Sequence, residues 1–255
     1  MNTTRLLAGV ALLASLSFQA NAELVHSDWK TLGDAKATAD IDTGIEWLKL
    51  NNTKNMSINQ VMAETGKGGL FHGWRLPTSE EVQTLVETVW SQYSFNDEAT
   101  ATKYSSGGYR GATNTWRTWM GTTRYYLTGD GSANNRYWYS YGLHVENDGS
   151  VAMSGSYRRQ KYVWGNYNHW ANLHDDLNVG TTAYDQDYTH VNFGVFLVSD
   201  GGTTLSSIND PTININNPSA PVNVSAPFLM SGLGIFGLSL VRRKKQAAIT
   251  TRALN

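Results

Sequence analysis

The chain of 255 residues contains no cysteine. Thiol nucleophiles, thiolate metal sites and disulfide chemistry are thereby excluded, and stability must come from the core and from aromatic packing. The sequence also lacks a nucleophile elbow, a P-loop and a dinucleotide fingerprint. Acidic residues are plentiful, but no spacing selects the carboxylate pair, about 5–10 Å apart, that glycoside hydrolysis requires. Positive charge is scarce in the body. Six of the 20 Lys and Arg lie in the terminal segments, as Arg5, Arg242, Arg243, Lys244, Lys245 and Arg252, whereas all 21 Asp and Glu lie between Glu23 and Asp210. The body carries 14 basic against 21 acidic residues, a formal charge of −7. Such a surface repels polyanions and argues against nucleic acid as a partner. A local basic run, Arg158-Arg159-Gln160-Lys161, reads as a solvated turn or strand edge.

What is present is clearest at the two ends. Residues 1–22 have the layout of a secretory signal peptide: a basic start at Arg5, an apolar run from Leu6 to Phe18, and the small-x-small site Ala20-Asn21-Ala22. The mature chain is expected to begin at Glu23. At the other end, Val224-Ser225-Ala226-Pro227 leads into an apolar run that stops at Arg242-Arg243-Lys244-Lys245. The 16 residues Ala226 to Val241 reach roughly 24 Å as a helix at about 1.5 Å per residue. That length spans a thin bilayer when basic residues snorkel to its interface. Gly232, Gly234 and Gly237 suit a membrane helix better than a water-soluble one. The four basic residues of 242–245 are expected to stay cytoplasmic, which places the body outside. The layout of 224–245 resembles the PEP-CTERM class of bacterial sorting signals, with Val-Ser-Ala-Pro where that class usually has Val-Pro-Glu-Pro. The resemblance implies an exosortase-type protease as processing partner, transient residence in the inner membrane, and a Gram-negative bacterium that exports polysaccharide. Residues 246–255 form a further tail.

Between the ends, residues 23–200 make one domain's worth of chain, followed by a polar linker over 201–223. Lys36 to Leu48 reads as a hairpin turning at Asp42-Thr43-Gly44. Ser57 caps a short helix carrying Ile58, Val61 and Met62, and Gly66-Lys67-Gly68-Gly69 ends it. Trp74 to Leu76 reads as a short strand broken by Pro77. Thr78 with Glu81 forms a capping box for a second helix with Val82, Leu85, Val86 and Val89 on one side. From about Asn96 to Asp187 helical periodicity is absent. All 13 tyrosines lie between Tyr93 and Tyr188, in short strands separated by turns, of which Asn147-Asp148-Gly149 is the strongest hairpin signal. A last apolar strand, Val191 to Val198, closes the domain.

The segment Asp42 to Leu48, the motif Gly73-Trp74-Arg75-Leu76-Pro77-Thr78 and the closing Phe193 to Val198 resemble the Lcl C-terminal domain. That bacterial family is related to C-type lectin-like and formylglycine-generating-enzyme-like folds. The resemblance implies an α+β, C-type lectin-like single domain with two helices, small antiparallel sheets and long Gly/Tyr/Trp-rich loops. The cysteine chemistry of the formylglycine-generating relatives is not carried over, since the chain has no cysteine.

The candidate sites follow. Arg75 is expected to pair with a buried carboxylate such as Glu46, giving the Trp-Arg-Leu-Pro-Thr motif a structural role. The aromatic-rich stretch, with Tyr137, Trp138, Tyr139, Trp164, Tyr167 and Trp170, offers flat faces with polar tips that suit a saccharide or a protein surface, although most of its aromatics are expected in the core. His169, His174, Asp175 and Asp176 form the most metal-like cluster, with calcium through Asp175, Asp176, Asp185 or Asp187 the cation expected if one binds. No catalytic residue is assigned. The expectation is a non-enzymatic exported protein of the cell surface or exopolysaccharide matrix that binds glycan or protein. The alternatives are a metal-dependent hydrolase of envelope polymer and a purely structural matrix component.

Overall fold

The computed structural model describes residues 23–91, 100–103, 108–129, 133–163, 166–174 and 185–210. All of them belong to the compact unit Met1–Asn217. The signal-peptide segment, the membrane-helix segment 226–241 and the sorting residues 224–245 lie outside the described residues. Among the described residues no helix is long and apolar enough to cross a membrane.

The domain mixes helix with two sheets, as the α+β expectation requires. The smaller sheet runs β1 (Leu24–Ser27), β2 (Ala37–Asp40), β3 (Glu46–Leu48) and β10 (Val198–Ser199), in that order and antiparallel. The larger runs β4 (Thr100–Lys103), β8 (Asn166–His174), β7 (Val151–Val163), β6 (Ala133–Val145) and β5 (Arg124–Gly129), with β9 (Phe193–Val195) paired parallel to β6. The hairpin at Asp42–Gly44 is present as β2–β3. The β6–β7 hairpin turns at Asn147–Asp148, where the Gly149 amide donates to the Glu146 carbonyl at 2.9 Å and Gly149 sits at φ +85°, a conformation glycine adopts without strain.

Helix α1 (Ile58–Ala63) starts at Ser57 and α2 (Ser79–Val89) at Thr78, each through a capping box, closed by Gln60 and Glu81 respectively. Val82, Leu85 and Val86 are buried, as their spacing predicts. Two further helices correct the two-helix expectation. The first, α3 (Gly108–Met120), lies inside the stretch read as free of helical periodicity. Its Gly, Thr and Asn residues are weak helix formers, and Thr115 and Thr118 hydroxyls bond back to the carbonyls four residues earlier. Burial overrides that weakness. Ala112, Trp116 and Met120, four apart, are all at most 2% exposed, and burying one large apolar side chain is worth roughly 3 kcal/mol. Trp116 stacks on Trp90 at 4.6 Å and donates its indole N–H to the Ser140 carbonyl.

The second unexpected helix, α4 (Leu205–Asn209), lies in the segment assigned to the linker. Residues 201–210 instead pack on the domain. The Glu46 carboxylate, 1% exposed, accepts from the Thr203 and Thr204 amides and the Thr204 hydroxyl. The expected Arg75–Glu46 pair is therefore not formed. Arg75 faces Glu81 and Asp200, because Glu46 already has its donors from the chain that follows β10. Around Arg75 the expected strand Trp74–Leu76 is reduced to one bridge, Arg75 to Val198.

The closing apolar strand is also divided. Residues 193–195 join the large sheet and 198–199 the small one. Phe196, between them, is fully buried, lies edge-on to Trp47 and Trp116, and its amide donates to the Leu143 carbonyl at 3.0 Å. This strap ties the sheets together, and Gly142 leaves room for it: a Cβ there would lie 2.3 Å from the Phe196 ring. Apolar clusters then lie on both sides of the large sheet, one around Leu143, Met153, Phe71 and Trp74, the other around Trp116, Trp90, Leu173 and Phe196.

Candidate functional site

Among the described residues the aromatic candidates lie on strands, not in loops. β6 and β7 each run 13 residues and pair along their whole length. Alternation along a strand sends neighbours to opposite faces. Tyr137, Tyr139 and Tyr141 share one face, Trp138 and Ser140 the other, so the aromatic candidates do not form one site.

On the first face, Tyr141 is buried in the core and Tyr139 and Tyr137 beyond it are half-buried. Tyr126 of β5 stacks on Tyr137 at 4.5 Å and 12° and on Tyr139 at 6.0 Å. Tyr139 meets Tyr157 of β7 at 4.8 Å. Arg124 lies over Tyr126 at 4.6 Å and Arg159 over Tyr137 at 5.4 Å. The Arg159 guanidinium also donates to Asn135 Oδ1 at 3.0 Å. Tyr126, Tyr137, Tyr139 and Tyr157 are all half-buried. Burial raises the Tyr139 hydroxyl pKa, helped by its bond to Tyr126, and pushes Tyr157 up to about 12. The hydroxyls of both stay protonated at neutral pH and both donate and accept. The face is a rigid array of four rings with amide and guanidinium donors at its margin.

The second face is covered in part by α3. Trp138 has the guanidinium of Arg158 at 4.9 Å and that of Arg117 at 5.3 Å from its ring centre. Arg158 corrects the reading of its run as a solvated turn or edge. It lies mid-strand in β7, between β6 and β8, and is 6% exposed, while Arg159 faces the tyrosine side. Burial, with Arg110 and Arg117 nearby, pushes the Arg158 pKa down to about 10.

His169 and His174 are not brought together. They are five residues apart in β8, an odd spacing, and fall on opposite faces. His174 is buried against Tyr141, and burial pushes its pKa down to about 4. Nδ1 of His169 sits 3.5 Å from Arg158 Nη2, and burial with Arg158 and Arg110 lowers its pKa too. A cationic neighbourhood opposes a metal ion. Among the described residues no three His, Asp or Glu are grouped to hold one. Asp185 and Asp187 are described: Asp185 accepts the Asp187 amide, and Asp187 accepts from Asn59. Asp175, Asp176 and Trp164 lie outside the described residues. Tyr167 and Trp170 are described by strand position alone, paired with Tyr162 and Arg159.

One constellation was not read from the sequence. His144 Nε2 lies 3.1 Å from Ser154 Oγ, and its Nδ1 lies 3.1 Å from Glu146 Oε1. The order hydroxyl, imidazole, carboxylate is that of a hydrolytic triad. Ser154 and His144 are both 0% exposed, beneath Phe196, so no substrate reaches them. The contact arises across the β6–β7 pairing, and period-two alternation from the Asn147–Gly149 turn would have found it.

Comparisons with known proteins add no assignment: no protein-family model matches this chain, and no curated protein and no solved structure matches it.

Proposed function

We propose that the chain is an exported protein of the cell surface or extracellular matrix whose domain binds saccharide through the tyrosine face of its large sheet. The observation that carries the binding reading is the stacked set Tyr126, Tyr137, Tyr139 and Tyr157, flanked by Arg124, Arg159 and Asn135. Flat rings with phenolic hydroxyls match the apolar face and hydroxyl rim of a sugar, and fixed strands hold them at little entropic cost. Export is supported by the signal-peptide layout of 1–22 and the tail 224–245. On this reading an exosortase-type protease processes the tail, the inner membrane holds it transiently, and extracellular polysaccharide is the partner. The finer fold, C-type lectin-like and akin to the Lcl C-terminal domain, is part of the proposal and rests on the Trp74–Thr78 motif and the closing 193–198 segment.

The test is a glycan array probed with the purified protein, Tyr137→Ala and Tyr126→Ala. Binding of the parent protein that both variants lose supports the reading. A blank array, or binding that survives both substitutions, overturns it.

A further inference from the structure

Opposite the tyrosine array, positive charge is gathered with no carboxylate paired to it among the described residues. Helix α3 carries Arg110, Asn114 and Arg117 at spacings of four and three, a single stripe beside its buried one. The Arg158 side chain meets this stripe from β7. Its Nη1 donates to Asn114 Oδ1 at 2.8 Å, and its Nη2 lies 3.5 Å from His169. Its Nε is buried with no acceptor among the described residues. Arg117 donates from Nε to Thr122 Oγ1 at 3.1 Å and shares the Trp138 ring with Arg158. None of Arg110, Arg117 and Arg158 forms an ion pair with a described Asp or Glu.

This arrangement is unusual on physical grounds. A buried cation without a counter-charge is costly, and proteins almost always pair one. Arginine does not escape by losing its proton, since it stays charged near neutrality even at the lowered pKa. The body has an excess of acids, with 21 acidic against 14 basic residues, yet none of those among the described residues pairs with these arginines. The missing partner is therefore better supplied from outside the chain. A guanidinium fork with a free Nε suits the two or three oxygens of a carboxylate, sulfate or phosphate.

The same face continues outward. Along β7, Gln160 and Tyr162 follow Arg158 at two-residue steps of roughly 7 Å each. With Asn134 and Arg136 of β6 they line a small polar cleft. Arg136 is exposed and Gln160 half-buried. Nothing in this cleft is acidic, and its amide, guanidinium and phenol groups suit hydroxyls or a second oxygen group.

We propose that Arg158 of β7, with Arg117 and Arg110 of α3, forms a binding site for a small oxyanion, with the Asn134–Arg136–Gln160–Tyr162 cleft accommodating what the anionic group is attached to. The site lies on the other side of the sheet from the tyrosine array and does not depend on it.

The experiment is a titration of the purified protein at low ionic strength with glucuronate, sulfate and glucose, matched by sodium chloride controls. Tryptophan fluorescence and the melting temperature are read together, since Trp138 lies against both guanidinium groups. Saturable quenching or enhancement with a rise in Tm is expected for glucuronate, for sulfate, or for both, and not for glucose. Glucuronate alone identifies a sugar acid, sulfate alone an inorganic or ester anion. Arg158→Met keeps the apolar volume and removes the buried charge; it is expected to fold, since buried charges are often replaced by apolar groups without loss. It should lose the response entirely. Arg117→Gln, at a half-buried position, should weaken binding about tenfold or more, the worth of one charge-assisted contact. Lys67→Gln, at an exposed position in the turn that follows α1, should change nothing. No saturable response to either anion, an equal response to glucose, or an unchanged response in Arg158→Met and Arg117→Gln would overturn the proposal. A blank glycan array leaves this result unaffected, so the two readings fail separately.

Discussion

Replacing Arg75 by alanine removes the junction between α2, the residues before it and the chain after β10. Its guanidinium grips Glu81 with two bonds, at 2.7 and 2.8 Å, reaches Asp200 at 2.5 Å, and also donates to the Leu76 carbonyl. Glu81 in turn holds the Thr78 amide in the capping box. Charge-assisted bonds of this kind are worth about 1.5–3 kcal/mol when shielded. The Arg75 side chain is 39% exposed and that of Asp200 71%, so solvent screening reduces the expected loss. For Arg75→Ala roughly 1 to 2 kcal/mol remains, or roughly 3 to 6 °C in Tm for a domain of this size. The pH dependence follows from the same contacts. Hydrogen bonds from Arg75 hold the Glu81 and Asp200 pKa values below their ordinary ones. Carboxylates depressed on folding stabilise above their unfolded pKa, near 4, and lose that contribution as pH falls through the folded values. Melting curves of both proteins should therefore differ most at neutral pH and converge in acid. Arg75→Lys, which keeps the charge but not the fork, should fall between them. An unchanged Tm at neutral pH, or a gap that persists after both carboxylates are protonated, would refute the reasoning.

Two further expectations concern packing and titration. Gly142→Ala places a methyl group 2.3 Å from the Phe196 ring and 2.7 Å from Leu50 Cδ2, and should cost about 1–3 kcal/mol by chemical denaturation, whereas Gly111→Ala in α3, with nothing within 4 Å, should add about 0.5–1 kcal/mol. Equal effects at the two glycines would remove the assigned role of the strap. His174 is held neutral by burial with a pKa near 4, below its ordinary 6.5, so its contribution is complete above 6.5 and lost as pH falls toward 4. His174→Phe should flatten stability between those pH values, by up to roughly 3 kcal/mol on the wild-type scale, and an unchanged slope would show that another group titrates.

Local signals were legible wherever a few neighbouring residues decide the outcome. Ser57 and Thr78 cap their helices, Asp42–Gly44 and Asn147–Gly149 turn their hairpins, and Val82, Leu85 and Val86 face inward. Helix α3 was not legible, because Gly, Thr and Asn dilute a stripe whose burial is supplied by β6, β8 and α2. The binding face was half legible. Tyrosine content was evident, but not that strand alternation sends Tyr137 and Trp138 to opposite faces, nor that Arg158 is enclosed by α3.

The sequence by itself determined the terminal layouts, the acidic body and the absence of thiol chemistry, because these follow from composition and contiguous runs. It also determined the caps and turns, whose hydrogen bonds close within a few residues. Tertiary structure alone decided which cation meets which anion. Arg75 takes Glu81 and Asp200, Glu46 takes the Thr203–Thr204 backbone, and Arg158 meets no acid among the described residues. Such pairings join residues as many as 158 positions apart, and the pairing of β10 with β3 brings Glu46 within reach of the Thr203–Thr204 backbone.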